Sequence, residues 1–351
     1  MQKNNINTIF LSVIYPLLLV ILFSCTQNQS QPKSLVYNDF VSQIDSMVKD
    51  GFNANDISYF RKKYPRFFTL WLYEVMDFGR FEQLTDSARA QYIQYWLEQN
   101  KPVFNAIRGH YAINNYWKGE LDQAWFNLQR SIPETPNAQI FSYLSQFSNY
   151  NTFVDTLYNE QTKQETTILA YSQEMFLNDT FPPYALLDLP PYFNRYNGSN
   201  QIASQLVWNY LKTHFEKTHT RSSMLDEMIF QGKIWYSMIY LFPKRNPWEI
   251  LGYDKNEWDW MLRGEGQIWK HYLDNQILFS NKFNDYKRYF AFGNKTFGNG
   301  VPPECPPLIG NFSGLRIVQS YADKNDASLA QVWKITNSNE ILQGSAYNPI
   351  K

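Results

Sequence analysis

Hydrolytic metal chemistry needs several donors converging on one ion, and this chain has four histidines to offer: His110, His214, His219 and His271. None stands in an H-E-x-x-H arrangement. A helix would turn roughly 500° between His214 and His219, so the two cannot share a face. The sequence has no cysteine cluster, no G-x-S-x-G and no EF-hand loop. Residues 293–300 are glycine-rich but do not clearly follow a strand and open a helix, so they read as a turn or flexible loop rather than a phosphate cradle. The adjacent carboxylates Asp226 and Glu227 are the best acid–base candidates. Neighbours on a helix diverge by about 100°, so they cannot flank one substrate bond, and a solvated or capping role is the stronger reading. With no complete catalytic or metal motif, the chain reads as a non-enzyme with no metal and no cofactor.

Cys25 offers a different chemistry, acylation. The segment before it has one early cation, Lys3, and an apolar run over residues 9–23 interrupted by Ser12 and Pro16. That is the size of a secretory signal, short of the about 20 apolar residues of a spanning helix. Leu22-Phe23-Ser24-Cys25 resembles a bacterial lipobox, which implies cleavage before Cys25 and lipidation of its sulfur and new N-terminus. The alternative is an ordinary signal peptide or anchor with an incidental cysteine. Residues 25–34 are polar and read as a flexible tether. Thr26 is not the aspartate that commonly retains lipoproteins in the inner membrane, and no acidic run follows. The expected location is therefore the outer membrane, facing the periplasm. The second cysteine, Cys305, then has no partner in the chain, so the fold must hold by packing, with Cys305 as a buried small hydrophobe.

The elements that must position any site read as α+β and mainly helical, with a single domain expected over 35–351. With 32 basic and 32 acidic residues there is no basic field to draw nucleic acid. Residues 35–135 read as mostly helical: Asn53 to Asp56 cap a helix that ends near Tyr64-Pro65, residues 67–78 form an apolar helix closed by Gly79, and Asp86 starts another with Ala88, Tyr92, Tyr95 and Trp96 at helical spacing. Three short β-branched and aromatic runs with turn-like breaks, within 138–178, predict a small antiparallel sheet. Residues 200–351 return to helices. One carries Leu225, Met228, Ile229, Trp235 and Ile239 on a stripe expected in the core, with Gly232 letting a neighbouring helix approach closely.

Several stretches in order resemble the gliding-motility lipoprotein GldB family of Bacteroidota. They are Leu225-Asp226-Glu227-Met228-Ile229-Phe230-Gln231-Gly232-Lys233-Ile234-Trp235-Tyr236, Leu251-Gly252-Tyr253, Glu265-Gly266-Gln267-Ile268-Trp269, Gly314-Leu315-Arg316-Ile317 and Ala346-Tyr347-Asn348-Pro349. The resemblance implies a lipid-anchored envelope protein needed for gliding or its associated secretion machinery, with protein partners there and no catalytic activity. The chain also looks distantly similar to predicted zinc metallopeptidases. In those the histidine helix would fall near residues 201–211, and a later glutamate would be replaced here by Gln231. An amide with no imidazoles holds zinc poorly, which implies a degenerate peptidase-like scaffold. The polar face with Glu227, Gln231 and Lys233 is the candidate pocket or partner contact, set against a plain solvated face. The alternative function is an envelope hydrolase, or a carbohydrate- or peptide-binding lipoprotein on that scaffold.

Overall fold

The computed structural model describes residues 35–350, apart from 82, 149–150, 179–180, 188–190, 294 and 299. The lipobox, Cys25 and the tether lie outside the described residues. Strands β1 (Val36–Asn38), β2 (Asn137–Tyr143), β3 (Thr152–Asn159) and β4 (Gln164–Ser172) form one sheet in the order β1-β2-β4-β3. The class is mainly helical α+β, as the sequence predicts. The sheet itself is mixed, which corrects the antiparallel expectation: β1–β2 and β2–β4 are parallel, and only β3–β4 is antiparallel. The run after β2 does not fold back on it. It carries the chain past the neighbouring position, and β4 fills the gap.

Because side chains alternate along a strand, the sheet divides two apolar cores. Ala138, Ile140, Leu169 and Tyr171 face one core; Phe141, Tyr143, Ile168 and Ala170 face the other. The second core is filled by α1 (Phe40–Val48), α2 (Ala54–Lys63), α3 (Pro65–Leu70), α4 (Asp86–Gln99) and α5 (Lys101–Ile113). Helix α2 starts where the sequence places it: Asn53 caps and Asp56 returns the bond, a capping box. Helix α3 runs on through a π-helical turn, Trp71–Val75, and stops at Met76. Asp77, at φ 60°, ends it two residues before the expected Gly79. In α4 the buried side is Ala90, Ile93 and Leu97, whereas Tyr92 and Tyr95 are 46% and 63% exposed. Of the aromatics chosen from spacing, Tyr92 and Tyr95 thus mark the solvent side, while Trp96 is half-buried against the second core.

The first core is built by α6 (Trp117–Ser131), α7 (Ile202–Glu216), α8 (Met224–Leu241), α9 (Pro247–Leu251), α10 (Lys255–Asp274), α11 (Phe283–Tyr286), α12 (Ile309–Asn325), α13 (Leu329–Lys334) and α14 (Ser338–Ser345). Helix α8 is central and buried on nearly every side, so its stripe of Leu225, Met228, Ile229 and Trp235 is only part of what it packs. Gly232 meets Gly314 of α12. A Cβ at Gly232 would lie 2.7 Å from Gly314 Cα, and one at Gly314 would lie 2.7 Å from Met228 C. The expected close approach is there. Cys305 is buried and unpaired, and burial pushes its thiol up to about 11. No helix among the described residues is long and apolar enough to cross a membrane.

Candidate ligand pocket

The three residues singled out on α8 do not lie together on one face of the helix: Glu227 is half-buried, whereas Gln231 and Lys233 are buried. Glu227 and Gln231, one turn apart, bond to each other at 2.8 Å, and Arg221 clamps Glu227 at 3.2 Å. Lys233 leaves the other side of the helix and is 1% exposed. Its Nζ donates to Ile335 O, lies 3.1 Å from His219 Nε2, and sits 5.5 Å from the Trp333 ring centre. Burial lowers Lys233 to about 7. Burial, then the Lys233 charge, lowers His219 to about 4. His219 Nδ1 lies 3.0 Å from Phe215 O, so a proton on Nδ1 leaves Nε2 to accept from Lys233. Asp226 takes the capping role: it is the return arm of the box that Ser223 opens for α8.

The histidines stay apart in their surroundings. His214 stacks on Tyr210, His271 meets Tyr289 Oη at 2.8 Å, and His110 packs edge-on to Tyr111. Among the described residues, no group of three His, Cys, Asp or Glu gathers as an ion would need.

A cavity of about 450 Å³ opens instead between α7, α8, α9 and the start of α12. One face of α7 and its N-cap makes the wall: Gln201, at the cap, and Ser204, Gln205, Trp208 and Asn209 recur at i, i+3, i+4, i+7 and i+8. The other side of α7, with Ile202, Leu206, Val207 and Tyr210, is buried in the core. Trp235 and Met238 enter from α8, Ile250 and Leu251 from α9, and Asn151 and Thr152 from the start of β3. Leu308, at φ 57°, turns the chain into α12 and brings Asn311 to the wall. Three rings form the rim. Phe292 lies edge-on to Tyr196 at 6.0 Å and to Trp208 at 6.2 Å.

The polar groups of this wall are neutral amides and hydroxyls. Gln201 Nε2 donates to Glu249 O at 2.9 Å and its Oε1 accepts from Ser204 at 2.9 Å. Gln205 Nε2 donates to Tyr196 O at 2.6 Å, and Asn209 Nδ2 donates to Thr152. Asn311 is 4% exposed, and among the described residues its Oδ1 has no partner, nor has the buried Asn151 Oδ1. Tyr196 is the one titratable side chain among these lining residues, and burial pushes it up to about 12. Sequence reasoning missed this site. The signal was present as polar residues at helical spacing within the apolar helix 202–216, but no catalytic motif marks neutral amides.

The family model for the gliding motility protein GldB matches residues 27–349. The chain belongs to that family. It is a gliding-motility family, and a lipoprotein family by its designation. Neither the curated proteins nor the solved structures give a match. Stretches that carry the resemblance to GldB meet in space. Gly232 and Gly314 form the α8–α12 contact, and Glu265 of α10 bonds both Arg316 Nε and Tyr347 Oη at 2.9 Å.

Proposed function

We propose that this GldB-family protein is a non-catalytic, lipid-anchored component of the cell envelope that supports gliding motility, its associated secretion machinery, or both, by binding. The single observation that carries the non-catalytic part is the chemistry of the pocket wall. Acid–base catalysis needs a group that titrates near the working pH, and a nucleophile needs a base beside it. Among the described residues the wall has Asn, Gln, Ser and Thr with apolar and aromatic side chains, and no carboxylate, imidazole or thiol. Gln205 and Asn209 stand four apart on α7, the spacing of the two histidines in H-E-x-x-H, and amides there suit a peptidase-like scaffold reused for binding. The anchor rests on the Leu22–Cys25 motif, and the family match begins at residue 27, two positions beyond the cysteine. The outer membrane, facing the periplasm, is the proposed location.

The test is a deletion strain complemented with wild type or Cys25→Ser. Wild type restores colony spreading and the secreted protein profile. Cys25→Ser loses acyl labelling, leaves the membrane fraction and fails to restore spreading. Normal spreading and secretion in the deletion strain itself would overturn the reading.

A further inference from the structure

The sheet ends in two edges that differ in kind. β1 is three residues long, and a very short edge is one way that proteins keep foreign strands from adding to a sheet. β3 is eight residues long and pairs with β4 in one unbroken antiparallel register. It has no proline, no lysine and no bulge, the other usual protections of an edge. Its single charge, Asp155, is held by Arg66.

The register says which way the main chain points. In an antiparallel pair, residues that exchange both bonds with the partner strand alternate with residues whose N–H and C=O face away from it. Ser172 N donates to Asn151 O at 2.8 Å, which puts residues 151, 153, 155 and 157 in the bonded set. Thr152, Val154, Thr156 and Tyr158 therefore turn their main-chain groups outward. Thr152 O accepts from Asn209 Nδ2 at 3.4 Å, on the outer side as the alternation requires. Among the described residues, the N–H and C=O of Val154, Thr156 and Tyr158 have no partner. The side chains of Thr156 and Tyr158 are exposed, so this half of the edge is open.

From this geometry we infer that β3 is a docking edge for an extended, uncharged segment of a partner protein, which adds as a strand and sets an apolar side chain in the cavity beside α7. A strand supplies N–H and C=O groups in the alternation that the open row has, so its main chain gives affinity and the adjoining pocket gives selection. The two features are continuous: Asn151 and Thr152, where β3 starts, line the cavity, and Asn209 ties that wall to the strand. Among the described residues no charged side chain lines the cavity, so a charged side chain entering it would be desolvated with no counter-charge. The indole N–H groups of Trp208 and Trp235, both in the lining, have no acceptor among the described residues and are free to meet a carbonyl. The inference rests on the proposed binding role and names the partner's chemistry for it.

The experiment uses the full-length protein in detergent. It is titrated with an end-capped hexapeptide of alternating valine and threonine with one phenylalanine, and followed by tryptophan fluorescence and residue-resolved amide exchange. Two control peptides are the same chain N-methylated throughout, which keeps the side chains and loses every N–H donor, and the same chain with glutamate for phenylalanine. The first peptide should saturate and slow exchange at Val154, Thr156 and Tyr158, the outward amides. Both controls should bind at least about tenfold more weakly, the loss of one good contact or more. Thr156→Pro removes one outward N–H and no bond to β4, so it should keep the melting temperature and weaken the peptide about tenfold. Thr156→Ala keeps that N–H and should bind as wild type does. The N-methylated peptide tests the same bonds from the ligand's side, without touching the fold. The inference falls if the first peptide does not saturate by about 10 mM, where even millimolar affinity would show. It falls too if the N-methylated peptide binds as tightly, or if Thr156→Pro binds as Thr156→Ala does. Sedimentation of the unliganded protein reads the other occupant: a dimer that Thr156→Pro abolishes would assign the edge to a second copy and overturn the partner. Spreading in the complemented deletion strain reads the motility role separately, so a failed titration with intact motility overturns the docking edge alone.

Discussion

Gly232 and Gly314 face each other backbone to backbone where α8 crosses α12, with no room for a Cβ on either side. Both helices carry the first core on their remaining faces, so this one contact sets how closely its two central elements pack. Gly232→Ala or Gly314→Ala should cost about 3 kcal/mol, the upper part of the usual overpacking range, because backbone rather than a movable side chain is in the way. Gly119→Ala is the control: it is exposed, its Cβ meets nothing, and it sits inside α6, so about 0.5–1 kcal/mol of stabilisation is expected there. Chemical denaturation compares the three. Equal stability of Gly314→Ala and wild type would refute the crossing.

Trp235 is 3% exposed and lies between the core, where it packs edge-on to Tyr253, and the pocket. Trp235→Ala should lower stability by about 3–5 kcal/mol, the range for a large buried aromatic. An effect below about 1 kcal/mol would mean that the ring is not part of the packed interior.

Lys233 and His219 give the fold a pH dependence of defined sign. Both are bases whose folded pKa is depressed, so the unfolded chain binds more protons between the two values and stability rises with pH across each window. For His219 the window runs from about 4 to the ordinary 6.5, and for Lys233 from about 7 to the ordinary 10.5. Stability measured in urea should fall on acidification through the first window, and His219→Gln should flatten that fall. Between pH 7 and 9 wild type should gain stability relative to Lys233→Met. Parallel pH curves for wild type and Lys233→Met would show that the buried amine does not titrate there.

Cys305 supplies a chemical probe of the same core. With the thiol buried and its pKa pushed up to about 11, little thiolate is present at neutral pH. A thiol reagent should label native protein slowly and denatured protein at once. Rapid labelling of the native state would contradict the burial.

How much of this was legible follows the range of each signal. Capping at Asn53 and the need for a small residue at Gly232 are local, and both were readable. The sheet order was not, because β1 is three residues long and its partner β2 lies some hundred positions away in sequence. Tyr92 and Tyr95 misled because helical spacing shows that a face exists without showing which way it turns. Lys233 misled for the opposite reason. A charged residue reads as surface, and nothing in its neighbours announces that Ile335 O, His219 and Trp333 will enclose it. The pocket escaped because its polar residues are neutral, and a search for acids, bases and metal ligands passes over amides.

The C-terminal tail is held by chemistry that can be removed one group at a time. Tyr347 Oη donates to Glu265 Oε1 at 2.9 Å, its ring packs edge-on to Trp269 at 5.1 Å, and Arg316 shares the same carboxylate. Just beyond, Pro349 O passes so close to Gly266 that a Cβ there would lie 2.6 Å from it. Tyr347→Phe keeps the ring and removes one hydrogen bond, while Glu265 stays paired with Arg316, so the loss should be about 1 kcal/mol. Glu265→Ala removes the shared acceptor of both groups and should cost more. Gly266→Ala should displace the tail without touching the Glu265 network. In all three variants amide exchange should rise over residues 346–350 before it rises in α10 or α12, because the tail is joined to them through these few contacts. Unchanged exchange across 346–350 in Tyr347→Phe and Gly266→Ala together would show that the tail is anchored elsewhere.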